Sequence, residues 1–227
     1  MSETSEGELQ FEPARRPDRT PLQGAFVRLE PIDPSRHQIA LFVAAGEPEI
    51  WQYLPYGPYA DEAVLAAKLE ADARSDDPLY YAIIDLRDGR AGGMASYLRI
   101  TPEHGVIEIG HIWLGLDLQR TRGATEAIYL LMRHAFDDLG YRRFEWKCNA
   151  ANAASRRAAE RFGFTFEGIF RQHQIVKGRN RDTAWYAILD HEWPAIRTGF
   201  ERWLDDANFD GEGRQRRRLS ELRPTSL

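Results

Sequence analysis

Residues 113–127 read WLGLDLQRTRGATEA, a strand that runs through a short loop into a long helix. The helix is marked by Ala124, Ile128, Leu131, Ala135 and Leu139, which return every three or four residues until Gly140 stops it. A helix head leaves backbone N–H groups unpaired and carries partial positive charge, so Arg120 and Arg122 have the wrong sign for the helix alone. A bound anion would resolve the conflict, and Gly123 and Ala124 present little side chain to keep a phosphate or pyrophosphate from the amides. Equally, both arginines can point to water or reach Asp117 and Glu126. The stretch lacks the GK[ST] of a Walker loop, and it is not the G-x-G-x-x-G that opens a dinucleotide-binding unit.

Upstream, FVRLE (26–30) alternates with a two-residue period, and Pro34 and Ser35 open a helix that Gly46 closes. WQYLPYGPYADE (51–62) packs aromatics between prolines, which suits either a loop lining a site or a hydrophobic cover over the core. Asp61 caps a second helix, and residues 80–86, 91–100 and 106–114 read as an antiparallel meander. Downstream, RRFEWKCN (142–149) is a strand, and Asn152 caps a short helix that Gly163 ends. Strands at 164–172 and 182–189 and a helix over 194–204 follow. The predicted fold class is α/β: a single domain over 21–204, with a mixed, mostly antiparallel sheet and helices on both faces. Residues 1–20 are predicted to be a disordered arm, and 205–227 an arginine-rich, solvated tail.

At 227 residues, 43% apolar and 29% charged, the chain has enough apolar content for a real core and is too apolar for general disorder. No apolar run approaches membrane-spanning length, and the N-terminus carries no secretory pattern, so a cytoplasmic location is expected with no membrane partner. Cys148 is the one cysteine, and neither it nor the six histidines has metal-ligand spacing, so no metal is expected. A net charge of −5 argues against a global grip on nucleic acid.

Glu108 and His111 lie on the strand before the phosphate-suited junction, and Asn152 and Ser155 stand one helical turn apart at a second strand-to-helix junction. Two such junctions can hold the two ends of a long cofactor. With EIGHIWL (108–114), QRTRGATEA (119–127) and NAANAASRRAAERFGF (149–164), the chain resembles the GNAT superfamily of acyl-CoA-dependent N-acyltransferases, in its ribosomal-protein N-acetyltransferase (Rim-type) branch. The resemblance runs from about residue 22 to 204. It implies a sheet splayed between its fourth and fifth strands with acetyl-CoA wedged into the V. Pantetheine would pair with the backbone of Ile112, Trp113 and Leu114, and the pyrophosphate would sit on the amides of Gln119, Arg120, Thr121, Arg122, Gly123, Ala124 and Thr125. Asn152 would bond pantetheine or cap its helix, and both roles can coexist.

Two departures from the superfamily pattern stand out. Arg122 occupies the place of the first loop glycine, with Gly123 one residue late, and Ala159 falls where many members carry the tyrosine that protonates the leaving thiolate. Ser155 is the expected substitute, in contact with the coenzyme. Amine acylation needs a base and an acid but no enzyme nucleophile. Glu108 is the expected general base, acting through water, with His111 in reserve. His111 lies on the opposite face of a regular strand, so only a bulge lets both reach the cleft. Cys148 reads as a covalent relay or, more commonly, a small buried hydrophobe.

The acceptor walls expected are 51–59, Tyr97, and the hairpin around Lys177, Arg179 and Arg181. The acceptor is a protein or peptide N-terminus or a small amine such as an aminoacyl nucleotide, a polyamine or an antibiotic, on a monomer or homodimer. The alternative function is a non-catalytic acyl-CoA-binding or sensing module.

Overall fold

The computed structural model describes residues 10–224. Its sheet has eight strands: β1 (Leu22–Gln23), β2 (Val27–Pro31), β3 (Leu79–Asp85), β4 (Arg90–Thr101), β5 (Val106–Leu114), β6 (Arg143–Asn149), β7 (Thr165–Val176) and β8 (Arg179–Leu189). The spatial order is β1-β2-β3-β4-β5-β6-β8-β7, and every neighbouring pair is antiparallel except β5 with β6. The helices are α1 (Pro34–Ala44), α2 (Glu62–Arg74), α3 (Arg122–Arg133), α4 (Ala153–Phe162) and α5 (Trp193–Leu204).

The period-two rule sorts β3 between two cores. Every residue of β3 is buried. Tyr80, Ala82 and Ile84 join Leu41, Leu65 and Leu69 of α1 and α2 on one face. Leu79, Tyr81 and Ile83 turn to the other face, which carries α3, α4 and α5. A strand covered on both sides loses its polar alternation, which is why 80–86 reads as a continuous apolar run.

Two helix starts fall on the caps expected, Asp61 and Asn152, and two on caps the sequence reading did not name, Asp33 and Thr121. Asp33, Asp61, Thr121 and Asn152 each accept a first-turn amide. Beyond Arg133 the long helix widens into a π-helical turn, His134–Asp138, before Gly140 takes φ 81. The last hairpin is longer than expected, because Lys177 and Gly178 both adopt left-handed backbone and close a tight turn between β7 and β8.

β5 and β6 pair only over Val106–Ile109 against Arg143–Trp146 and then part. The divergence coincides with a bulge: between Met94↔Trp113 and Ser96↔Gly110, β5 takes three steps to two on β4, and His111 adopts φ 50. The splay falls between the strands expected; counting the short β1, which the sequence did not reveal, renumbers them β5 and β6.

Both flanking segments differ from expectation. Residues 1–9 and 225–227, parts of the expected arm and tail, lie outside the described residues. Residues 10–20 are not a free arm: Ala14 is buried and donates its N–H to Pro102, Arg15 donates to Leu139, and Tyr81 donates its hydroxyl to the Asp18 carbonyl. Residues 205–224 are not a solvated tail. Leu219 and Leu222 join the core beside α4 and α5, and buried Asn208 bonds the carbonyls of Trp203 and Arg217.

Candidate active site

The splay opens a continuous cleft of about 1640 Å³, lined by the free stretches of β5 and β6, the head of α3, one face of α4, β7, β8 and the aromatic loop. Ligand sites of ordinary size hold about 300–1,000 Å³, so this one has room for two reactants end to end.

At one end stands the head of α3. Thr121 caps it, its hydroxyl accepting from the Ala124 amide at 3.1 Å. The amides of Arg120, Arg122 and Gly123 find no acceptor among the described residues. Arg120 is exposed in left-handed backbone, and no ion pair engages it among the described residues. Arg122 corrects the symmetrical reading of the two arginines. Its guanidinium lies between the rings of Phe26 and Phe209, both 4.1 Å away, donates to the Leu204 carbonyl and pairs with Asp206 at 2.8 Å. It clamps the end of α5 and the following segment to the head of α3, and its misfit charge is met from within the chain. Neither anticipated acidic partner is used: Glu126 accepts the amides of Ala25, Phe26 and Val27, while the Asp117 carbonyl takes Arg87. Gly123 is required by packing, because a Cβ there would stand 2.8 Å from Val27 Cγ1.

Along β5, the Trp113 carbonyl points at β4, 2.5 Å from where a Gly93 Cβ would stand. Alternation therefore turns the polar edges of Ile112 and Leu114 toward the cleft and that of Trp113 away, a correction to the expectation for Trp113. The Leu114 carbonyl accepts from Gln119 Nε2 at 2.9 Å, which ties the loop to the strand end.

Across the cleft, Asn152 Oδ1 accepts the Ser155 amide at 3.0 Å, so the residue does cap its helix, and its side chain lines the cleft. Ser155 Oγ accepts from the Trp146 indole at 3.0 Å, which leaves its own hydrogen to donate to the neighbouring Cys148 thiol or to a ligand. Ser155, Ala158, Arg161 and Phe162 form the cleft-facing row of α4 at helical spacing. Ala159 is fully buried in the core, and Ala158 is the small residue beside it that lines the cleft. Burial raises the Cys148 thiol above its ordinary range, which keeps it protonated and unsuited to a covalent relay.

Glu108 is 3% exposed, and its Oε2 carries both cations, Arg99 and Lys147, the latter at 3.0 Å. Its Oε1 takes no partner among the described residues and lies beside Gly110, where Leu98 occupies the space a side chain would take. The bulge that sequence reasoning made decisive is present, and both Glu108 and His111 line the cleft. His111 Nδ1 lies 3.0 Å from the Tyr56 hydroxyl and its ring stacks on Tyr56. Burial, with Lys68, Arg99 and Arg181 nearby, pushes the imidazole down to about 4, so it is neutral near pH 7.

The aromatic loop does line the cleft, through Tyr53, Leu54 and Pro55. It is held by Tyr53, whose hydroxyl donates to the Ala151 carbonyl, and by Lys177, whose ammonium donates to the carbonyls of Trp51 and Gly57. Tyr97 is not a wall: it is fully buried and donates to the Leu131 carbonyl. Sequence reasoning missed Arg161, which lies over Trp203 and donates to the Thr125 hydroxyl at 3.2 Å. It also missed Phe209, Arg214 and Gln215, which wall the cleft from beyond residue 204. The only signal there was aromatic and branched residues, Phe209, Leu219 and Leu222, scattered through a polar segment.

Comparison with known proteins follows the same outline. The profile of the acetyltransferase (GNAT) domain matches residues 27–165. A GCN5-related N-acetyltransferase from Brucella melitensis is 46% identical, with a TM-score of 0.92 over 93% of this chain and 97% of that one. A "probable acetyltransferase" of the GNAT family from Chromobacterium violaceum is 41% identical, with a TM-score of 0.79 over 86% of this chain and 98% of that one. The ribosomal-protein-serine acetyltransferase of Escherichia coli (strain K12) is 33% identical over 101 residues. That match takes in 44% of this chain and 56% of the relative, so the chain spans little more than half the length of that protein.

Proposed function

The chain belongs to the GNAT acetyltransferase family, and on that premise we propose that it moves an acetyl group from acetyl-CoA to a primary amine by direct transfer. One observation carries the reading. Unpartnered amides at the head of α3 close one end of a cleft in which Glu108 Oε1 takes no partner among the described residues and the Ser155 hydroxyl, beside Cys148, still has a hydrogen to donate. The first are suited to hold a diphosphate, the second to act as a base and the third to act as a hydrogen-bond donor.

Acetyl-CoA fits these residues and would supply an activated thioester. The amides of Arg120, Arg122 and Gly123, with the exposed Arg120 guanidinium, would hold its phosphates, and the Ile112 edge and Asn152 would hold its amide-bearing arm. Glu108 Oε1, through a water, would take the proton the amine loses as its C–N bond forms. The Ser155 hydroxyl would donate a hydrogen bond to the sulfur as the C–S bond breaks, steadying the departing thiolate until it takes a proton from solvent, and its acceptor lone pair is already committed to Trp146. Arg99 and Lys147, both on Oε2, fix the orientation of the Glu108 carboxylate. The acceptor is an amine of a peptide N-terminus or of a small molecule.

Free-thiol release from acetyl-CoA across peptides and small amines tests this. Glu108→Gln should lower kcat by about a hundredfold or more while CoA affinity holds. Release in neither form, with CoA still bound, would mark the protein as a sensor instead.

A further inference from the structure

An ion-pair ladder links residues of β4, β5, β6 and β7. Arg99 pairs with Glu108, Glu108 with Lys147, Lys147 with Glu145, Glu145 with Arg143 and Arg143 with Glu167. Three cations alternate with three carboxylates, so the ladder closes on itself with no charge left over. The Lys147 ammonium also lies 3.7 Å from the centre of the Trp185 ring.

Arg181 stands outside this balance. It comes from β8, opposite Gln174 of β7, and it lines the cleft in the half bounded by Cys148, His173, Gln174 and Thr183. Its guanidinium forms no salt bridge and donates no hydrogen bond among the described residues, and its Nε is buried without a partner. Burial destabilises its charged form. Removing a cation from water without a counter-charge of its own is costly, and the nearby Glu108 carboxylate, already shared between Arg99 and Lys147, offsets that cost only in part. A planar guanidinium matches a carboxylate or phosphate through two parallel hydrogen bonds, and such pairing strengthens as water is excluded.

We propose that Arg181 is the recognition residue for an oxyanion on the acceptor, so that the preferred substrate is an amine bearing a carboxylate or phosphate. This rests on the acetyl-transfer reading for the identity of the reaction, though not for the presence of the anion site. Polyamines and other polycations are disfavoured acceptors, because the surplus charge of Arg181 repels them from this half of the cleft.

The test uses matched acceptors: phosphoethanolamine against ethanolamine, and peptides beginning Ser-Asp against Ser-Asn, which separate a phosphate from a peptide carboxylate. The full-length protein should favour the anionic member by about tenfold or more in kcat/KM. Arg181→Met keeps the aliphatic stem and should collapse the ratio toward one, and Arg181→Lys should restore part of it, with the KM for acetyl-CoA unmoved.

Calorimetric binding of N-acetylaspartate, which has carboxylates but no amine, gives a readout independent of turnover and should weaken about tenfold or more in Arg181→Met. Acetylation without charge preference, together with equal N-acetylaspartate binding in both proteins, overturns the proposal and leaves acetyl transfer standing. N-acetylaspartate binding that depends on Arg181, with no amine acetylated, supports the anion site and overturns the acetyl-transfer reading. A loss of CoA affinity in Arg181→Met would assign the arginine to the coenzyme and also overturn the proposal.

Discussion

His111 holds left-handed backbone at φ 50, a conformation that costs a non-glycine residue about 1–2 kcal/mol and is retained because the bulge opens the sheet. In the unfolded chain its imidazole takes a proton near the ordinary 6.5, and in the folded chain only near about 4. The folded value is depressed, so the group has no effect above pH 6.5. Below that, the unfolded state binds the proton first and stability falls. By pH 5 the loss should reach about 2 kcal/mol. His111→Asn does not titrate and tolerates left-handed backbone. Urea unfolding at pH 7 and pH 5 should show the wild type losing about 2 kcal/mol more than the variant, and parallel losses would sink the assignment. At this scale the sequence was legible where a residue's chemistry is local: Glu108, His111, Asn152 and Ser155 all line the cleft. It misled on Tyr97, which is fully buried in the core instead of walling the cleft. It was silent on Arg161, whose role depends on Trp203, 42 positions away in the chain.

Among elements, the head of α3 separates two arginines that the sequence could not tell apart. Arg120 is free in solvent, whereas Arg122 is stacked between two rings and paired to the segment after α5. Arg120→Ala should weaken CoA binding by about three- to tenfold, with thermal stability nearly unchanged, because an exposed contact to a phosphate contributes about a kilocalorie per mole or somewhat more. Arg122→Ala should instead lower stability by about 1–3 kcal/mol in urea unfolding, since it removes two stacking contacts and leaves the Leu204 carbonyl without its donor. Equal effects of the two substitutions on CoA affinity would count against this division. The Thr121 cap emerges only from the structure, but the helix itself was plain from its period. The partner of Arg122 was not, because Asp206 lies 84 residues further on and in a segment without periodicity.

Over the whole molecule, the strand and helix order was readable from periodicity and caps, whereas the position of the splay came only from the family resemblance; the Brucella melitensis relative shares the fold across nearly all of the chain. The two ends were not readable, because short polar segments that bury one or two side chains each have no period to detect. Leu219 is 1% exposed against the core, and Leu219→Ala should cost about 2–4 kcal/mol in urea unfolding, far more than any exposed residue of a solvated tail would. A change under about 0.5 kcal/mol would return the segment to solvent.

That same C-terminal wrap has a bearing on when the enzyme becomes competent. Phe209, Arg214 and Gln215 wall the nucleotide-suited end of the cleft together with Phe26 from the beginning of the domain. A chain emerging from the ribosome at about 5–20 residues per second would therefore have its sheet assembled before its donor site is complete. A nascent chain whose residues 205–224 are still inside the exit tunnel should hold acetyl-CoA weakly, and full affinity should arise only once that segment has emerged.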